Sequence, residues 1–194
     1  MTEQEILKIF AETEALLTGH FILTSGLHSD RYFQGAKVLQ HPEIAARLCS
    51  QIGEHFKNKH IDAVIAPAVG GIIVTHEVAK SLGVRAIFSE RQQGEMTLRR
   101  GFEIKSGENL LVVEDVITTG GSVKEVIDLV KTSGGNLAGA GCLVDRSGGQ
   151  VNLGTELFSL VKLTIQTFPS ENCDLCQQGS QAVKPGSRGL SKNG

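Results

Sequence analysis

Charge of either sign is nearly absent in net terms: 19 Lys and Arg stand against 21 Asp and Glu in a chain of 194 residues. A balance of −2 gives no electrostatic case for nucleic acid or an anionic membrane surface as a partner. Apolar runs are short, and none approaches the roughly 20 residues of a membrane-spanning helix. The opening Met-Thr-Glu-Gln-Glu-Ile-Leu lacks the basic and apolar regions of a signal peptide, so a cytoplasmic location is expected. Cysteines are too few and too scattered for a disulfide scaffold. Cys49 and Cys142 stand in apolar contexts and read as packing residues. No Gly-x-x-x-x-Gly-Lys occurs, and Gly120-Gly121 lacks a spaced third glycine, which excludes the Walker loop and the dinucleotide fingerprint. No Ser-His-Asp constellation and no closed His/Cys/Asp metal spacing is apparent.

What is present is concentrated in Leu110-Leu-Val-Val-Glu-Asp-Val-Ile-Thr-Thr-Gly-Gly-Ser122. Leu110 to Val113 read as a buried strand, and Glu114 and Asp115 stand at its carboxyl end. A Thr/Gly loop follows, with Ser122 as the expected N-cap of a helix carrying Val123, Val126, Ile127 and Val130 on one face. Strand, small-residue loop and helix N-terminus make an anion site, because free N–H groups and the helix dipole favour a phosphate. The two acids would repel that phosphate, so they are expected to face neutral hydroxyls such as those of a ribose. The plain alternative is a buried strand joined to a helix by an ordinary turn.

The remaining pattern is α/β. Residues 3–17 read as an amphipathic helix, and two short strands follow around Gly26. Pro42 opens a helix running to about Phe56. Three βα units begin at Asp62, Val84 and Leu110, a further core strand spans Leu137 to Val144, and an edge is expected around Leu157–Leu163. This alternation predicts a central parallel sheet flanked by helices, with ligands outside the carboxyl ends of the strands. Four segments meet there: Pro67–Gly71, Glu90–Arg100, Glu114–Ser122 and Asp145–Arg146. Gly70 and Gly71 suit close approach by an anion, or simply a helix–strand turn. Glu90 to Gly101 is long and polar; it reads either as a lid whose Arg91, Arg99 and Arg100 neutralise a leaving group, or as a solvated hairpin. Arg146, just past a strand end, suits a carboxylate or is an exposed terminus.

These segments together resemble the orotate phosphoribosyltransferase family of the type I phosphoribosyltransferases. The resemblance rests on Phe21-x-Leu-x-Ser-Gly26 with Ser29 and Tyr32, on Val112 to Ser122, on Glu90-Arg91 and on Asp145-Arg146, and it covers residues 6 to 165. It implies a type I phosphoribosyltransferase fold with a small N-terminal hood at about 18–38. It further implies transfer of ribose 5-phosphate from phosphoribosyl pyrophosphate (PRPP) to orotate, with Mg²⁺ held mainly by substrate and water. By the same resemblance Glu114, Asp115, Val116, Ile117, Thr118, Thr119, Gly120, Gly121 and Ser122 bind PRPP. Thr118 and Arg146 contact orotate, Arg91 contacts pyrophosphate, and Glu114, Asp115 and Arg91 form the catalytic set. A homodimer is implied, with the lid reaching across the interface. Many members carry lysine where Thr24 stands here, Tyr-Lys at Val69-Gly70, and cationic residues at Gln92 and Glu95; Lys37, Arg99 and Arg100 are the candidate substitutes. The alternatives are a type I enzyme for uracil or a purine, and a PRPP-sensing regulator without turnover.

The expected division is a phosphoribosyltransferase domain at 1–168 and a polar extension at 169–194. The extension contains Cys173-x-x-Cys176. No histidine follows His76, so the pair has no sequence neighbour to complete a four-ligand site, and the plain expectation is two reduced thiols. Zinc shared between two tails at a dimer axis, or a local disulfide, are the alternatives.

Overall fold

The computed structural model describes residues 1–23 and 25–185. Thr24 and the last part of the extension, including Ser187 and Arg188, lie outside the described residues. Helix α1 (Glu3–Glu12) opens on a capping box in which Glu5 N–H donates to Thr2 Oγ1 and Thr2 N–H donates to Glu5 Oε2. It stops five residues short of the expected end. Glu14 takes a left-handed conformation (φ 52°) and Ala15 N–H donates back to Phe10 O at 2.8 Å, a Schellman closure without its usual glycine. Leu16 and Leu17 therefore begin strand β1 (Leu16–Ile22), which pairs antiparallel with β2 (His28–Phe33). This two-stranded ribbon is the hood, and short helix α2 (Gly35–Leu39) follows it.

Helix α3 (Pro42–Phe56) begins at its proline as expected. There follow β3 (Ala63–Pro67), α4 (Gly71–Leu82), β4 (Arg85–Gln92), β5 (Glu95–Leu98), β6 (Asn109–Ile117), α5 (Gly121–Thr132), β7 (Asn136–Asp145) and β8 (Leu157–Lys162). The main sheet has the order β5-β4-β3-β6-β7-β8; every neighbouring pair is parallel except the β4–β5 edge. Alternation along β6 shows why the sheet is covered twice. Leu111 and Val113 join Phe10, Leu48, Ile52 and Val74 on one face, while Leu110 and Val112 join Val123, Val126, Ile127 and Val130 of α5 on the other. The reversal of strand order at β3/β6 opens a crevice at the strands' carboxyl ends, where all four predicted segments lie. No helix among the described residues is long and apolar enough to cross a membrane.

The tail does not stand apart from the hood. Phe168 and His28 exchange backbone hydrogen bonds at 2.8 and 2.9 Å, and Val183 does the same with Ile22 and His20 at 2.8 Å each. Short helix α6 (Asp174–Gln177) is carried between these two ties. The expectation that no histidine lies near Cys173 and Cys176 is overturned, because the hood strands bring His20 and His28 against them.

Candidate active site

Two recesses meet at the end of β6. The smaller, of about 70 Å³, is lined by Glu114 and by the backbone and side chains of Val116 through Val123. The larger, of about 590 Å³, lies between this loop and the hood, with Tyr32, Leu27, Thr118, Arg146 and Ile165 among its walls. Val116, Thr118 and Thr119 belong to both, so whatever occupies the loop borders whatever occupies the larger recess.

The loop has the strand–loop–helix form expected of an anion cradle, with one correction to the expected cap. Gly120, not Ser122, is the N-cap of α5; it sits at φ 76°, and helix residues begin at Gly121. A β-carbon on Gly120 would lie 2.9 Å from Val151 Cγ2, so both conformation and space demand glycine. With no side-chain oxygen capping the helix, the N–H groups of its first turn remain available to a ligand. Ser122 stands inside that first turn and lines the smaller recess.

Beneath the loop the acids are half-buried. Glu114 Oε1 accepts from Asp115 N–H at 3.1 Å, and Asp115 Oδ1 accepts from Val116 N–H at 2.9 Å. Burial raises the pKa of both carboxyls above the ordinary range, and for Glu114 the neighbouring Asp115 charge adds to it. Asp115 lines neither recess; its carboxylate is tucked between Gly35 and Gly70. The Ala66–Gly71 segment turns through a cis Ala68–Val69 peptide and leaves Val69 82% exposed at the crevice.

Arg146 is the unusual cation. It is partly buried, its backbone N–H is fixed to Ile117 O at 2.8 Å, and its Nε is buried without a hydrogen-bond partner. Removal from water lowers its pKa, opposed by neighbouring Tyr32. Asp145 beside it is occupied instead by Ser147, accepting from its N–H and Oγ at 2.8 and 2.6 Å. A half-buried guanidinium whose buried Nε donor is unfilled, lining a cavity, suits an anion.

Glu90 to Gly101 takes the hairpin form: β4 and β5 pair through a turn at Gln93–Gly94. Arg91 lines neither recess; its Nη2 lies 2.7 Å from Glu125 Oε2 on α5, and its Nη1 donates to Gly94 O. Arg100 is clamped on Glu90 by two bonds of 2.9 Å, and Lys37 is held 3.1 Å from Glu14. The sequence reading thus placed the loop, the acids and Arg146 together. It missed Gly35 and the walls supplied by Ile165 and Thr167 beyond β8, which no sequence pattern marks.

Residues 34–173 match the phosphoribosyl transferase domain family. The chain is 54% identical over 191 residues to the orotate phosphoribosyltransferase of Desulforamulus reducens, covering 98% of this chain and 100% of that one. It is 57% identical over 188 residues to the orotate phosphoribosyltransferase of Pelotomaculum thermopropionicum, covering 97% and 99%. The crystal structure of orotate phosphoribosyltransferase from Aeropyrum pernix superposes with a TM-score of 0.70 at 26% identity, over 81% of this chain and 93% of that one.

Proposed function

Because the chain belongs to the phosphoribosyltransferase family, and within it to the orotate phosphoribosyltransferases, we infer that it transfers the ribose 5-phosphate group of PRPP to orotate. N1 of orotate displaces pyrophosphate at C1 of PRPP with inversion, giving orotidine 5′-monophosphate for UMP synthesis. The observation that carries this reading is the junction of the two recesses. A loop at the N-terminus of α5 shares Thr118 and Thr119 with a pocket lined by Arg146, whose buried Nε has no hydrogen-bond partner.

In this reading the 5′-phosphate occupies the Thr118–Ser122 loop, and Glu114 and Asp115 take the ribose hydroxyls. Arg146 pairs with the orotate carboxylate, and Thr118 bonds the base. The protein's task is to align N1 with C1 and to meet the positive character that develops on the ribose with nearby carboxylate. Mg²⁺ fits the donor set: two hard carboxylates side by side, both with pKa values raised by burial and Glu114 further by the Asp115 charge, gain from a divalent cation held mainly by substrate and water. When bound, it would neutralise the leaving pyrophosphate. We extend the proposal to a cytoplasmic homodimer in which Arg91 serves the neighbouring site. The exposure of Val69 and Ile73 (82% and 43%) beside the crevice is consistent with cover by a second copy.

The test is an assay with PRPP, Mg²⁺ and a panel of orotate, uracil, adenine, guanine and hypoxanthine, followed by ultraviolet absorbance. Orotate alone should be consumed. Turnover of uracil or a purine at comparable rates would replace this reading by that of another type I enzyme, and no turnover with any base would favour a PRPP sensor.

A further inference from the structure

Four metal-ligating atoms outside the active site converge where the tail meets the hood. His20 Nε2, His28 Nδ1, Cys173 Sγ and Cys176 Sγ all lie within 4.8 Å of one another. The sulfur–nitrogen separations are 3.4 Å (Cys173–His20), 3.7 Å (Cys176–His20) and 3.2 Å (Cys176–His28), and the two ring nitrogens are 2.8 Å apart. A tetrahedral zinc with Zn–S of about 2.3 Å and Zn–N of about 2.05 Å sets S···N near ~3.6 Å and N···N near ~3.3 Å. The three mixed distances bracket the first value, and the rings need to part by only about 0.5 Å to meet the second.

Two further observations point to a ligand. His20 Nδ1 lies 3.0 Å from Ser180 O; a carbonyl can only accept, so Nδ1 carries the proton and Nε2 presents a bare lone pair to the cluster. Burial is also marked, with His20, His28 and Cys173 only 6%, 8% and 1% exposed. None of the four residues belongs to either hydrophobic cluster of the core. None of the four lines either recess of the active site.

We propose that His20, His28, Cys173 and Cys176 form a structural zinc site closed entirely within one chain. Binding releases the two thiol protons and leaves a neutral four-coordinate centre, with no open position for chemistry. The site's placement gives its purpose. His20 and His28 flank the hood turn whose Leu23, Ser25 and Leu27 wall the larger recess, so the ion would pin that turn from behind while fastening the tail to it.

Elemental analysis of the full chain, purified without an affinity tag or chelator, should find about one zinc per chain. Cys173→Ser/Cys176→Ser and His20→Ala should each lose it, with a lower Tm. Since those variants can also fail to fold, the reduced, zinc-stripped wild-type chain should be titrated with Co²⁺. Intense tetrahedral visible bands and thiolate-to-cobalt charge transfer should saturate near one equivalent, vanish on adding zinc and persist in excess Mg²⁺. Absence of zinc together with absence of the cobalt spectrum would overturn the proposal. So would a Cys173–Cys176 disulfide found by mass spectrometry in the freshly purified protein, or zinc retained by the double variant. None of these readouts depends on turnover, so they stand whether or not orotate is the substrate.

Discussion

Gly35 and Asp115 are in such close approach that a β-carbon on Gly35 would lie 2.2 Å from Asp115 Oδ2. Gly70 closes on the same carboxylate from another element, with a notional β-carbon 2.8 Å from Oδ1. The second acid of the pair is therefore oriented by two missing side chains, contributed by α2 and by the turn ahead of α4.

Gly35→Ala should displace that carboxylate while sparing the fold. Gly35 is the first residue of α2, where alanine is tolerated by the backbone, and the obstructing atom is the end of a side chain that can rotate. Overpacking of this kind costs about 1–3 kcal/mol. The PRPP kcat/KM should fall at least tenfold with the far-ultraviolet circular dichroism unchanged. Wild-type kinetics would show that the orientation of Asp115 is immaterial.

Glu114→Gln and Asp115→Asn should each reduce turnover, since losing a charged hydrogen bond to a ribose hydroxyl costs roughly 1.5–3 kcal/mol, or about 10- to 150-fold. Their effect on stability should run the other way. Both carboxyls have pKa values raised by burial, so the folded state holds protons that the unfolded chain releases. For Glu114 the wild-type fold is then unpenalised below the ordinary glutamate value of 4.5 and loses stability as pH rises from there through the raised folded value. Melting curves should show Glu114→Gln level with wild type at about pH 4.5 and more stable at pH 8. Parallel curves across that range would mean that the acids ionise freely.

Arg146→Ala should raise the KM for orotate far more than that for PRPP. Truncating one partner of a buried charge pair costs about 2–5 kcal/mol, which corresponds to roughly 30-fold or more in apparent affinity. Arg146→Lys should recover little, because the unfilled Nε donor belongs to a planar fork that an ammonium does not reproduce. Equal rises in both KM values would point to a general collapse of the pocket.

The parts of this molecule that the sequence made legible are those encoded locally. Leu110–Val113 followed by two acids and a Thr/Gly loop announces β6, the crevice and α5, and Pro42 marks the start of α3 to the residue. Illegible were features set by distant contact. The cap at Gly120 is crowded by Val151 and Leu153 from beyond β7. Likewise Cys173 meets His20 across 153 positions and Cys176 meets His28 across 148, separations at which spacing carries no information.

Arg91 tests whether the site is completed by a second chain. Within its own subunit it is paired with Glu125 and with Gly94 O, and it lines neither recess. Its side chain is about half exposed, and surface pairs of this kind hold by at most about 1 kcal/mol, so a pyrophosphate elsewhere can outbid Glu125. If the β4–β5 hairpin reaches the neighbouring crevice, an Arg91→Ala chain and an Asp115→Asn chain, each nearly inactive alone, should regain activity on mixing. Random exchange puts half the dimers in mixed form. Each mixed dimer has one site with neither lesion, so recovery should approach a quarter of wild-type activity. Recovery should follow the rate of subunit exchange measured independently by mass spectrometry. Complete exchange without recovery would confine Arg91 to its own subunit.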